Sequence, residues 1–315
     1  MVTPPHPVTA NNSSHSAGVR AIILMVIAVA SFGFLDAVGK HLSGSLPVMQ
    51  VVWMRFVTHV LLCLFIFRLW SNYGRLRTSR PLLQGARGLF MLGTTIFNFW
   101  ALQYLQLAET ASIMFAGPIV VAALAGPLLG EWAGPRRWAA IGIGFIGVLV
   151  VTRPGLSGFG VDGLGWPALV SVGSMVSFAL YSLSTRVLAQ TENIEGLVVL
   201  TALVPVVALA PFAISVWVWP TDLLSWVLML IMGILGGGGH WLLIIAHRHA
   251  TAPTLAPFMY SQIIWMIALG WLVFADIPTI WTLTGASIII ASGLYLLYRE
   301  TRAKQNSSTS QETIS

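Results

Sequence analysis

Of the 315 residues, 57% are hydrophobic and 8% charged, against roughly 25% charged in an ordinary soluble domain. A water-soluble fold of this length cannot hide that much apolar surface in one core, so lipid must be part of the solvent. The net charge of +6 comes from basic residues scattered over short loops and flanks, which excludes a nucleic-acid partner, and the single cysteine, Cys63, excludes a disulfide framework or thiolate metal site.

Residues 1–19 are polar and read as a disordered tail. Segments able to cross the ~30 Å hydrocarbon layer follow near 20–41, 47–69, 82–105, 107–130 and 137–152. Five more lie near 165–189, 194–218, 223–246, 252–274 and 279–298. The first is too long for a signal-peptide core and is read as a retained span. The fifth is the shortest. Residues 153–164 form an extracytoplasmic linker, and 299–315 a second polar, disordered tail. The expected fold class is all-α integral membrane, with ten transmembrane helices.

With the N-terminus cytoplasmic, the inner side holds Arg20, Arg68, Arg75, Arg77, Arg80, Arg136, Arg137, Arg186, Arg248, Arg299, Arg302 and Lys304. The outer side holds Lys40 and Arg153. This asymmetry follows the positive-inside rule and places both termini in the cytoplasm of a multi-pass plasma-membrane protein, in bacteria the inner membrane.

The chain also matches itself at a shift of about 145 residues. Ser31-Phe32, followed by Lys40, reappears as Ser177-Phe178, followed by Arg186. Ala101 answers Ala246, Ala111 answers Ala256, and Glu131 answers Asp276. Residues 20–152 and 165–298 therefore read as two five-helix repeats. Five is odd, so the second copy enters the bilayer from the opposite side. Inverted repeats are typical of secondary transporters, whose substrate site lies near the midplane between the copies.

Charges inside spans are costly, at ~2.5–3.5 kcal/mol on insertion scales. Asp36 lies about a turn from the outer end of span one, and Lys40 follows one turn later as an i,i+4 partner. Arg55 reaches a similar depth in span two, and Arg87 enters span three from the opposite side. These four are candidate contacts for an ionic solute or a coupled proton; the alternative is structural pairing among spans one to three. Their repeat partners are uncharged, so ionic binding is expected from the first half. The charge pattern favours a carboxylate-bearing or zwitterionic solute over a bare cation.

Gly236, Gly237, Gly238 and Gly239 precede His240 in span eight. They suit either a broken helix or close packing by small residues. His240, Asn98, Trp100, Tyr260 and Gln262 are further candidates for the cavity wall, with Trp265 and Trp271 as aromatic alternatives. Pro118 is a candidate hinge. Glu131 and Asp276, at equivalent span ends, are gating or structural groups.

Several of these residues carry a resemblance. Pro118, Gly130-Glu131 and Gly142 in the first half, with Tyr260-Ser261-Gln262, Asp276-Ile277-Pro278 and Gly285 in the second, are similar to EamA-type domains of the drug/metabolite transporter superfamily. Ile263 stands where proline is usual, and Asp276 where glutamate is commoner. Asp36-Ala37-Val38-Gly39-Lys40, Arg55-Phe56, Leu76 to Pro81, Arg87-Gly88 and Ala250-Thr251-Ala252-Pro253 resemble the S-adenosylmethionine uptake branch. Riboflavin-uptake members look similar over the first two spans. The resemblance implies a carrier of a small organic metabolite, like S-adenosylmethionine, riboflavin or an amino acid. An exporter of metabolites or drugs is the alternative, with a channel or scaffold behind it. No ATP-binding loop, nucleophile elbow or zinc-protease motif occurs, so no enzyme, cofactor or metal is expected. Expected partners are the solute, the bilayer and, as one option, protons, for a monomer or homodimer.

Overall fold

The computed structural model describes residues 10–68, 76–130, 134–153, 164–249, 255 and 258–312. These residues form eleven helices and, among them, no strand. In a bilayer an unpaired backbone N–H or C=O has no water to turn to, and a helix satisfies each within its own segment.

The first half holds α1 (Ala10–Ser43), α2 (Val48–Phe67), α3 (Pro81–Leu102), α4 (Leu107–Met114), α5 (Gly117–Leu129) and α6 (Pro135–Thr152). The second holds α7 (Trp166–Leu188), α8 (Ile194–Ser215), α9 (Leu223–His249), α10 (Gln262–Phe274) and α11 (Ile280–Glu312). Six helical stretches are long and apolar enough to cross a membrane, one of them being α4 and α5 taken together. Three shorter apolar helices and α3 complete the ten spans. The protein is an all-α membrane protein. Two ends run further than expected: α1 starts at Ala10 and α11 continues to Glu312, inside the stretches read as disordered tails. Extending an existing helix adds one hydrogen bond per residue fixed and needs no new nucleus.

Helix starts are marked locally. Gln106 and Glu109 form a capping box at α4, and Asn193 accepts from the Gly196 N–H at α8. Before α9, the Ser225 N–H and hydroxyl bond Asp222 and hold its carboxyl below the usual carboxylate range.

Packing follows a two-fold pattern. The most extensive contacts are α1 on α9 and α3 on α7, which exchange when first-half spans are mapped onto second-half spans. Likewise α2 on α9 is answered by α3 on α8, and α1 on α10 by α4 and α5 on α7. The pairs α2 with α8, α4 with α10, and α6 with α11 map onto themselves.

Among the described residues, spans four and nine carry breaks at equivalent places. Phe115-Ala116 separates α4 from α5, and Tyr260-Ser261 precedes α10. Both breaks tighten into i→i+3 bonds, Ala116 N–H to Ile113 O at 3.1 Å and Ser261 N–H to Phe258 O at 3.2 Å. Pro118 removes a backbone donor near the first break. Ile263 keeps its donor and bonds Tyr260 O at 3.2 Å, so the second break does not need the usual proline.

The span ends match as well. Gly130 (φ 76°) and Ala275 (φ 56°) both close their helices in the left-handed region. Glycine adopts this freely and alanine does so under strain. Ala275 turns the chain so that Asp276 follows directly, its N–H bonded to Gly270 O at 2.9 Å.

Candidate functional site

A cavity of about 310 Å³ lies between the halves. Asp36, Arg55, Asn98, Pro118, His240, Tyr260 and Gln262 line it, bringing together residues from α1, α2, α3, α5, α9 and α10. The rest of the wall is mainly Phe32, Phe115, Phe178, Met91, Met114, Met259 and Met266, with Thr94 and Thr95.

Five wall pairs are repeat partners. Phe32 corresponds to Phe178, Thr95 to His240, Asn98 to Leu243, Met114 to Met259, and Phe115 to Tyr260. The last two rings meet edge to face at 5.3 Å beside the two helix breaks. The wall is thus symmetric in its apolar shell and asymmetric in its charge.

Asp36 Oδ1 accepts from Asn98 Nδ2 at 2.9 Å. Arg55 Nη1 donates to Thr95 Oγ1 at 3.0 Å, and the guanidinium carbon sits 4.5 Å from the Phe56 ring centre. Asp36 and Arg55 form no direct salt bridge among the described residues. Arg55 Nε and the Tyr260 hydroxyl are buried without a hydrogen-bond partner among these residues. Both residues line the cavity, but the Tyr260 hydroxyl itself lies against Gly293 of α11, where an added Cβ would overlap it.

The expected Asp36–Lys40 pairing does not form. Lys40 Nζ instead bonds Asp276 Oδ2 at 2.7 Å and Leu105 O at 3.0 Å, over the Phe274 ring. Sequence spacing could not show this, because the partner lies 236 residues away. Neither Lys40 nor Asp276 lines the cavity; they tie α1 to the end of α10. A double-mutant cycle with Lys40→Met and Asp276→Asn is expected to give a coupling energy of about 1–3 kcal/mol in detergent unfolding, since the pair is partly shielded from water.

Arg87 also stands outside the cavity. It donates to Thr185 Oγ1 at 2.7 Å, Leu197 O at 2.9 Å and Tyr181 Oη at 3.2 Å, and also to Thr201 Oγ1. Its guanidinium spans α3, α7 and α8. Arg87→Lys keeps the charge but cannot reach four acceptors from one ammonium. It is expected to cost about 2 kcal/mol or more in thermal unfolding while leaving solute affinity unchanged.

The glycine run does not break α9, which is continuous through Gly236 to Gly239. An added Cβ on Gly239 would come within 2.8 Å of Phe32, and one on Gly237 within 3.1 Å of His59. The glycines bring α1 and α2 close to α9. Trp100 is half exposed and packs edge to face on Trp166 at 6.0 Å. Trp265 lies against Gly33 of α1, and Trp271 is exposed on the outer surface of the bundle. Glu131 lies outside the described residues.

The sequence reading missed the phenylalanines and methionines of the wall. The repeat itself held the signal: Phe32 with Phe178 was part of the match, and Met114 with Met259 falls on the same shift.

The sequence model of the EamA-like transporter family matches this chain twice, over residues 19–153 and 165–299. The chain belongs to that family. An S-adenosylmethionine uptake transporter of Rickettsia bellii is 26% identical over 92% of this chain and 96% of its own length. A riboflavin transporter of Rhizobium johnstonii is 28% identical, covering 92% and 95%. A pseudopaline exporter of Pseudomonas aeruginosa is 24% identical, covering 87% and 95%. A solved crystal structure shares the fold, with a TM-score of 0.54 and 21% identity over 90% of this chain and 96% of the other. This EamA-like transporter is therefore a multi-pass membrane protein that moves a small metabolite, as the resemblance implied.

Proposed function

We propose that the protein is an alternating-access carrier of a zwitterionic organic solute, bound in the central cavity between residues 20–152 and 165–298. The carrying observation is the pair of opposite charges, Asp36 and Arg55, that share the cavity wall without forming a salt bridge among the described residues. A solute ammonium would engage Asp36 and its carboxylate the unpartnered edge of Arg55. Gln262 would take a further polar group. The ring-and-methionine shell accepts a flat or sulfur-bearing body, since methionine adapts to irregular apolar shapes and both residue types stack on rings.

The two halves run in opposite senses, with both termini cytoplasmic in the plasma membrane. Lys40 and Asp276 then close the extracytoplasmic end of the cavity, and the breaks at Phe115 and Tyr260 are the flexing points beside the solute. The named relatives support the part of this reading that makes the protein a carrier of small metabolites. One is named an S-adenosylmethionine uptake transporter, one a riboflavin transporter and one a pseudopaline exporter.

The test is uptake by purified protein in liposomes from a panel of S-adenosylmethionine, riboflavin, L-amino acids and bare amines. Saturable, mutually competable transport of zwitterions is the expected result. Preference for bare cations, or transport that never saturates, contradicts it. Vesicles of known protein orientation separate import from export.

A further inference from the structure

A second cavity, of about 370 Å³, opens between α2, α8 and α9. Leu62, Cys63, Gly237 and Gly238 line its inner end, and Glu195 and Arg248 its mouth. In the orientation proposed above this crevice faces the cytoplasm. The two cavities approach each other at one place. Arg55 and His240 belong to the central cavity, Cys63 and Gly237 to the crevice. His59 lies one helical turn from both Arg55 and Cys63 on α2, and fills the space that the absent side chain of Gly237 leaves.

His59 is 4% exposed, and neither of its ring nitrogens has a hydrogen-bond partner among the described residues. Its ring lies 6.4 Å from that of His240, with planes inclined by 22°. On its other side His240 contacts the Phe32 ring at 4.9 Å. The charged groups facing the pair are Arg55 on α2 and Arg87 on α3; Asp36 on α1 and Tyr181 on α7 act on Arg55 in turn, and Cys63 on α2 lies in the crevice. Arg87 and Tyr181 bond each other, Asp36 bonds Asn98, and Arg55 bonds Thr95.

We propose that His59 and His240 form a proton relay from the cytoplasmic crevice to the central cavity, making the proton the coupling ion. An imidazole relays when it takes a proton on one nitrogen as it gives up the proton on the other, which requires both nitrogens to be free of fixed protein bonds. His59 meets that requirement. A proton from cytoplasmic water enters at His59 and an equivalent one passes through His240 to the Asp36 carboxylate; no electrons move and no other bond changes. A tightly packed histidine kept only for structure would be expected to bond a carbonyl or hydroxyl in its surroundings.

This inference rests on the carrier reading but uses different groups, so the two can fail separately. Liposomes containing purified protein and a trapped pH dye receive a mixture of S-adenosylmethionine, riboflavin and L-amino acids, and labelled-solute exchange is followed in parallel. Wild-type protein is expected to shift the internal pH at least tenfold faster than empty liposomes. His59→Gln should lower that proton flux about tenfold or more while exchange stays within about twofold of wild type. His240→Gln cuts the relay at its other ring and is read by proton flux alone, because His240 also lines the solute cavity. Solute movement without a pH change, coupled proton flux surviving in either folded variant, or exchange lost together with proton flux in a folded His59 variant overturns the relay. A wild-type protein that moves none of these solutes removes the carrier reading and the relay with it.

Discussion

Arg55→Gln is expected to reduce solute uptake by one to two orders of magnitude while the protein still folds. Among the described residues the guanidinium hydrogen-bonds Thr95 while Nε is buried without a partner, and Arg55 lines the cavity. A charge-assisted hydrogen bond to a buried anion contributes about 1.5–3 kcal/mol, and each 1.4 kcal/mol is a factor of ten. Glutamine can still meet Thr95 but offers no positive charge. Asp36→Asn should show a loss of similar size, because the amide remains close to Asn98 while the attraction for an ammonium is gone. Uptake by purified variants in liposomes, scored beside their unfolding temperatures, checks both. A variant that unfolds like wild type and transports at the wild-type rate removes that residue from the solute site.

The second large effect lies where the halves meet, at α6 and α11. An added Cβ on Gly285 would lie 2.4 Å from Val151 Cγ2, 2.7 Å from Gly147 O and 2.9 Å from Val151 N. Two of those atoms are backbone and cannot rotate away, so the helices must separate. Overpacking of this kind costs about 1–3 kcal/mol, and more as the side chain grows. Gly285→Ala is expected to lose stability in that range and Gly285→Val to fall beyond it. Gly142, on the same α6, has open space where its Cβ would go. Gly142→Ala should be neutral or stabilising by up to about 1 kcal/mol, because alanine is the better helix former. Equal unfolding temperatures for the two alanine variants would contradict this assignment of the contact.

Much of the architecture was legible in the residues. Hydropathy gave the spans because a helix in lipid must cover about 30 Å with apolar side chains, a requirement composition cannot hide. The self-match at 145 residues anticipated packing that exchanges α1 on α9 with α3 on α7. Asp36 and Arg55 stood out because charge at that depth is rare, and both reach the cavity. Lys40 stood out for the same reason and was given the wrong partner, since proximity along one helix says nothing about a neighbour from the other half. Arg87 turned inward to Thr185 and Leu197, contacts set by how α3 meets α7 and α8. The glycines suited a break and a close approach equally well in sequence; only the neighbouring Phe32 and His59 decide between them. His59 and the methionines of the wall were illegible alone, because in an apolar helix nothing marks which face meets a cavity.

Thiol labelling in intact cells tests the antiparallel threading most directly. In a Cys63→Ser background, one cysteine is placed in the N-terminal tail and, separately, one in the 154–163 stretch. A membrane-impermeant maleimide should label the second from outside and the first only after the membrane is opened. Labelling of both from the same face would leave two parallel halves, and a cavity shared by inverted copies could not exist.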